Sequence, residues 1–129
     1  MSGILADTSV WIDYFNGKNP KADVLSDLID SNAICINDLI LTELVPFIKL
    51  ADEPRLVELL TSVKNIPLNI DWSGLGQMQV INLKNGVNRI GIPDLIIVQN
   101  AVQNDLTLFT FDGHFKAMQR LHKFKLYEI

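Results

Sequence analysis

Asp7, Glu43, Asp94 and Asp112 are the residues of this 129-residue chain whose types and places fit one chemistry. Asp7 follows a short apolar strand, Gly3-Ile4-Leu5-Ala6, and Asp112 follows another, Thr107-Leu108-Phe109-Thr110-Phe111. Asp94 opens an apolar helix behind Pro93, and Glu43 lies inside a second apolar helix. Carboxylates at strand C-termini and helix N-termini point into the crevice where open α/β sheets bind ligands. Brought together, four of them repel unless a hard cation holds them, and oxygen donors of this kind suit Mg²⁺ or Mn²⁺. Metal ions bound by carboxylates can make water nucleophilic near neutral pH and stabilise the leaving oxygen of a phosphodiester.

Other chemistries find less support. With two histidines and one cysteine, no Ser–His–Asp or Cys–His set is apparent, and the ligands of a zinc site are lacking. No Gly-rich phosphate loop of the Walker kind is present. Each acid also has a structural alternative. Asp7 can cap a helix, and Asp94 can be a first-turn acid stabilised by the helix dipole. Glu43 can lie on an exposed face or pair with Lys49, and Asp112-Gly113 is an ordinary turn pair. Ser9 can merely cap the first helix, and Thr110 can be only a strand residue.

The elements that must position these acids alternate between strand and helix, the mark of βα units and a largely parallel sheet. Strand one is expected at Gly3–Ala6, followed by a helix over Val10–Phe15 that stops at Asn16-Gly17. A second helix follows Pro20, with Val24, Leu25, Leu28 and Ile29 at helical spacing. Ala33–Ile36 reads as strand two. The next helix starts near Asp38 and points Leu39, Leu41, Leu44, Val45 and Ile48 inward, with a kink expected at Pro46. Asp52-Glu53-Pro54 begins another helix. Ile66–Leu68 reads as strand three, and Asp71 caps a helix running to Asn85-Gly86. Pro93–Asn104 is a helix with an almost wholly apolar start, Leu106–Phe111 is strand four, and Lys125–Ile129 is the last strand.

Composition sets the remaining bounds. The length fits one domain spanning residues 1–129, and a hydrophobic fraction of 48% rules against disorder. The apolar runs are short and broken by charge, so no membrane span is expected. The N-terminus lacks a basic segment with an apolar signal core, which points to the cytoplasm. Cys35 reads as a small buried hydrophobe in a reducing compartment. The net charge of −4 argues at first sight against a nucleic-acid partner, but four metal-bound carboxylates would account for all of it. Lys116, Arg120, Lys123 and Lys125, with His114 and His122, form a basic C-terminal stretch, and Lys18 and Lys21 follow the first acid. This stretch reads as a solvated face or an RNA contact. Trp11 and Trp72 read as core residues, Arg89 as a surface residue or a phosphate contact, and neither histidine is assigned a catalytic role.

Four segments together resemble the motifs of PIN-domain ribonucleases. These are Asp7-Thr8-Ser9-Val10-Trp11-Ile12-Asp13, Leu41-Thr42-Glu43-Leu44, Ile92-Pro93-Asp94-Leu95-Ile96-Ile97-Val98-Gln99-Asn100-Ala101 and Leu108-Phe109-Thr110-Phe111-Asp112-Gly113-His114-Phe115. All four occur in family order across essentially the whole chain. The length looks most like the VapC toxins of prokaryotic toxin–antitoxin pairs. One departure is that Ile97-Val98-Gln99-Asn100 replaces part of a small-residue run after the third aspartate.

The resemblance implies a three-layer α/β/α domain with a central parallel sheet of four or five strands. It implies a Mg²⁺- or Mn²⁺-dependent endoribonuclease with Asp7, Glu43, Asp94 and Asp112 as direct or water-mediated ligands, supported by Ser9 and Thr110. Products would carry 5′-phosphate and 3′-hydroxyl ends. The implied partners are RNA, a small VapB-like antitoxin and a second copy of the chain. An antitoxin segment would lie in an apolar groove, for which Trp11, Phe15, Phe47 and Leu50 are candidates. Two rivals remain at this point: a PIN-like domain that binds RNA or protein without cutting, and an aspartyl-nucleophile phosphatase. The phosphatase usually needs a second aspartate two positions after the first, where Ser9 stands.

Overall fold

The computed structural model describes residues 3–17 and 19–128. Lys18 and the expected end of the last strand at Ile129 lie outside them. Strand β1 (Ile4–Ala6) is short because the chain must turn into a helix at once. Asp7 supplies the turn as N-cap of α1 (Thr8–Asn16), which begins two residues earlier than expected. Gly17, at φ +64°, ends α1 in the left-handed conformation that a Cβ disfavours. A 3-10 turn over Pro20–Asp23 leads into α2 (Val24–Asp30), and β2 is Ile34–Ile36.

Helix α3 (Asp38–Leu50) is continuous through Pro46, and its inward face is Ile40, Leu44 and Ile48. After α4 (Pro54–Ser62) comes β3 at Lys64–Asn65. The expectation of strand three at Ile66–Leu68 is therefore two residues late. Pairing, not apolarity, sets this strand, because Cys35 lies opposite Lys64 and Ile36 opposite Asn65. The expected apolar residues follow it, and Ile66 still donates its N–H to the carbonyl of Ile36 (2.7 Å). Helices α5 (Trp72–Lys84) and α6 (Ile92–Gln103) then lead to β4 (Thr107–Phe109), α7 (Gly113–His122) and β5 (Lys125–Leu126).

Among the described residues the strands form a five-stranded sheet in the order β3-β2-β1-β4-β5, with every pairing parallel. Helices on its two faces make the expected three-layer α/β/α architecture. The chain steps outward from β1 to β2 to β3. It then returns through α5 and α6 to the other side of β1, where β4 and β5 follow. Connections thus leave β1 and β4 in opposite directions, and a crevice opens beyond the C-terminal ends of those two strands.

Burial follows this plan. Helix α6 is sunk into the core, with Leu95, Ile97, Val98 and Ala101 at most 3% exposed. A helix buried on most sides reads as an apolar run rather than a stripe. Trp11 is fully buried as expected, whereas Trp72 is 67% exposed and is not a core residue. Its place at the first position of α5, beside the cap Asp71, turns the ring outward. Cys35 is buried, and burial pushes its thiol pKa up, consistent with an inert structural role. Among the described residues no helix is long and apolar enough to cross a membrane.

Two buried asparagines tie the layers together. Asn37 Oδ1 accepts from the N–H of Ile40 as the α3 cap, and its Nδ2 donates to Asn100 Oδ1 (3.0 Å). Asn100 Nδ2 donates to the carbonyl of Pro67 (3.1 Å). The departure from small residues at Asn100 therefore carries a polar bridge from α6 to α3 and to the segment after β3. Asn100→Leu keeps the branched shape but leaves the Asn37 amide without its acceptor and the Pro67 carbonyl without its donor, a loss of about 1–3 kcal/mol. Urea denaturation should show a lower midpoint with unchanged slope; an unchanged midpoint would mean the bridge contributes nothing net.

Candidate metal-binding active site

The crevice between β1 and β4 collects the predicted acids. Ala6 pairs with Phe109, and the N–H of Asp7 donates to the carbonyl of Phe109 (3.0 Å), so Asp7 and Thr110 leave the sheet side by side. Asp7 is 4% exposed. Its Oδ1 accepts from Ser9 Oγ (2.6 Å) and from the N–H of Val10 (3.3 Å), and its Oδ2 accepts from Thr110 Oγ1 (2.5 Å). Three donors favour the charged form, yet burial outweighs them and the carboxyl pKa is raised, with a further push from Asp112.

Ser9 and Thr110 therefore act on both ends of the crevice. Ser9 Oγ accepts from the N–H of Phe111, and Thr110 Oγ1 accepts from the N–H of Asp112, both at 3.0 Å. Each hydroxyl donates to Asp7 while receiving a backbone donor from the β4–α7 loop. The pair fixes the position of Asp112 relative to Asp7. Asp112 in turn caps α7 by accepting from the N–H of His114 (2.9 Å).

Asp94 enters from the first turn of α6 and Glu43 from the second turn of α3. Asp94 is half-buried, and burial raises its pKa most; Asp112 and then Glu43 push it further, while His114 opposes them. Glu43 is exposed, and its Oε1 accepts from Thr8 Oγ1 (2.8 Å). The apolar helix around Glu43 is thus a matter of faces: Leu44 and Ile48 go inward while Glu43 points across to the start of α1. The four acids are linked electrostatically, Asp7 to Asp112 and Asp94 to Asp112 and Glu43, while the group whose donor atoms lie within 4.8 Å of one another is Asp94, Asp112 and His114.

Side chains that the sequence did not single out complete the site. Thr8 holds Glu43, a role hidden because the partners lie 35 positions apart. A buried hydrogen bond from Asn37, the cap of α3, to Asn100 in α6 ties together the helices that carry Glu43 and Asp94. The only local signal was an asparagine inside an apolar run. His114 Nδ1 stands 3.6 Å from Asp94 Oδ2 and 3.5 Å from Asp112 Oδ1, both too long for a direct hydrogen bond. Beside Asp112 a cleft of about 420 Å³ runs between α7 and β5, lined by Thr110, Gly113, Lys116, Gln119 and Tyr127 among others.

The basic C-terminal stretch does not act as one face. Lys116 lines that cleft, but Lys125 pairs with Asp105 (2.9 Å), and His122 Nε2 contacts the buried Asn82 Oδ1 (2.7 Å). Arg89 is exposed. Of the candidates for an apolar groove, Trp11 is core and is withdrawn, Phe15 is packed against the core, and Phe47 and Leu50 are 39% and 91% exposed.

The PIN domain family model matches residues 4–121. The chain belongs to the PIN-domain family. The match runs from β1 nearly to the end of α7 and so includes all four acids. The solved structures similar to this PIN domain include VapBC2 from Rickettsia felis bound to a DNA fragment from its promoter. That structure gives a TM-score of 0.75 at 21% identity, covering 96% of each chain. DNA-bound VapBC from Salmonella typhimurium gives 0.75 at 17% identity, covering 98% of each. FitAcB from Neisseria gonorrhoeae gives 0.67 at 20% identity, covering 97% of this chain and 96% of that one. None of the curated proteins matches the sequence. At these identities the likeness is one of fold, shared from end to end.

Proposed function

We propose that this PIN domain is a Mg²⁺- or Mn²⁺-dependent endoribonuclease, the toxin of a toxin–antitoxin pair. One observation carries the reading: Asp7, Glu43, Asp94 and Asp112, scattered over 105 positions of sequence, converge at the switch point of a parallel sheet. The donor set is of hard oxygens, and the carboxyls of Asp7 and Asp94 are both raised by burial and by neighbouring acids. A divalent cation removes that penalty, so the residues fit such an ion. Bound there, it would supply charge to activate water and to stabilise the leaving oxygen.

The chain's own residues would do the rest. Ser9 and Thr110 hold the Asp7 carboxylate in one orientation, and Thr8 holds Glu43. Lys116, which lines the cleft beside Asp112, would meet a backbone phosphate of RNA. The presence of all four acids stands against a PIN-like domain that only binds. The partner we propose is a small antitoxin whose C-terminal segment lays apolar side chains near Phe47 and Leu50. A basic residue of that segment would enter the acidic crevice and form charge-assisted hydrogen bonds there. In support, VapBC and FitAcB are names of complexes that share this fold. We also propose a homodimer, which would set two crevices along one RNA.

The test is direct. Purified chain should cut single-stranded RNA in Mg²⁺ or Mn²⁺, leave 5′-phosphate ends, and stop in EDTA. Undiminished cleavage in excess chelator would sink the metal reading, and absence of cleavage with either ion would sink the nuclease.

A further inference from the structure

We infer that His114 supplies a nitrogen ligand, through Nδ1, to a cation held by Asp94 and Asp112, and that it biases this site toward Mn²⁺ over Mg²⁺. The inference rests on the metal reading above and adds to it a donor from another chemical class.

The geometry carries it. One oxygen of Asp94, one of Asp112 and one ring nitrogen of His114 all lie within 4.8 Å of one another. His114 Nδ1 is 3.6 Å from the first oxygen and 3.5 Å from the second. Neighbouring ligands of an octahedral ion at about 2.0–2.2 Å stand about 3 Å apart. The ring nitrogen is therefore about half an ångström from the spacing it needs to each acid, and the two carboxylate oxygens, no more than 4.8 Å apart, draw together around the ion. His114 sits in the first turn of α7, where its backbone N–H already binds the Asp112 carboxylate. The ring is thus anchored beside the acid it would join, while its side chain stays 52% exposed and free to adjust. With its proton on Nε2, neutral imidazole presents the Nδ1 lone pair to the ion.

The donor mix sets the preference. Mg²⁺ is hard, sheds water reluctantly and favours oxygen, whereas imidazole suits transition metals. A set of carboxylates with one imidazole therefore discriminates by the nitrogen. The rival account makes His114 a counter-cation that offsets two acids until metal arrives. The two accounts predict opposite signs, because removing a ligand weakens binding and removing a competing positive charge strengthens it.

The experiment uses the full chain and metal alone. Mn²⁺ and Mg²⁺ affinities are measured by calorimetry for the wild type and for His114→Ala, with circular dichroism to confirm folding. His114→Ala should weaken Mn²⁺ by about tenfold or more and Mg²⁺ by less than about threefold. In parallel, pulsed electron paramagnetic resonance of the Mn²⁺-loaded wild type should show ¹⁴N coupling that becomes ¹⁵N coupling on histidine labelling. The assignment is clean because the other histidine, His122, contacts Asn82. Mn²⁺ bound without nitrogen coupling, or bound more tightly by His114→Ala, would overturn the inference and leave the carboxylate site standing. A wild type that binds no Mn²⁺ would overturn both. The spectroscopy decides the matter even if the variant folds poorly.

Discussion

Asp7→Asn should reduce RNA cleavage by at least about a hundredfold, while the domain stays folded. The amide keeps an oxygen for the N–H of Val10 and the hydroxyl of Ser9, so the α1 cap survives. What disappears is a buried negative charge that burial and Asp112 both disfavour. The sign of the stability change follows from that. The folded-state pKa of Asp7 lies above 3.8, so between that value and the native pKa the folded protein holds more protons than the unfolded one. Stability of the metal-free wild type therefore falls as pH rises through that window, and stays reduced above it. Asp94 titrates in the same direction and adds to the effect. In EDTA, the stability of Asp7→Asn relative to wild type should grow with rising pH. Denaturant midpoints at several pH values check this. A variant that unfolds at neutral pH would show that Asp7 is a structural cap first and a ligand second.

Mg²⁺ or Mn²⁺ at about a hundred times its dissociation constant should stabilise the wild type by about 2.7 kcal/mol, because the unfolded chain cannot assemble the site. For a chain of this size that is a rise in Tm of about 10 °C. At a fixed multiple of the dissociation constant that size follows from mass action alone; relief of the existing conflict among the acids acts by lowering the dissociation constant. Asp7 is buried and raised, and Asp94 is pushed up in turn by burial, Asp112 and Glu43. Thermal melts with added metal, and again after EDTA, measure it. Asp94→Asn should lose most of the shift. A wild-type Tm indifferent to both ions would mean that the acids meet for some other reason.

Sequence alone went far here because the information was local. Asp7 directly follows β1, as expected from an apolar run and a cap; strand four was expected to reach Phe111 but ends at Phe109, so Asp112 lies three residues beyond β4 as the cap of α7. Asp94 behind Pro93 is a helix start. The alternation of these elements is enough to expect a parallel sheet, whereas the strand order β3-β2-β1-β4-β5 was decided by tertiary structure. Boundaries of short strands were less legible: β3 is set by pairing with Cys35 and Ile36, not by the apolar residues that follow it. Trp72 shows the same limit, since a large ring at a helix start is core or surface according to what packs above it. The resemblance already offered Ser9 and Thr110 as supports, but tertiary structure decided which acid each side chain holds and added Thr8, Asn37 and Asn100. Thr8 reaches Glu43 across 35 positions, Thr110 reaches Asp7 across 103, and Asn37 reaches Asn100 across 63. It also split the basic C-terminal stretch, sending Lys116 to the cleft and Lys125 to Asp105. A hydrogen bond needs angstrom-scale placement of both partners, and the side-chain period of one element carries no record of its neighbour's.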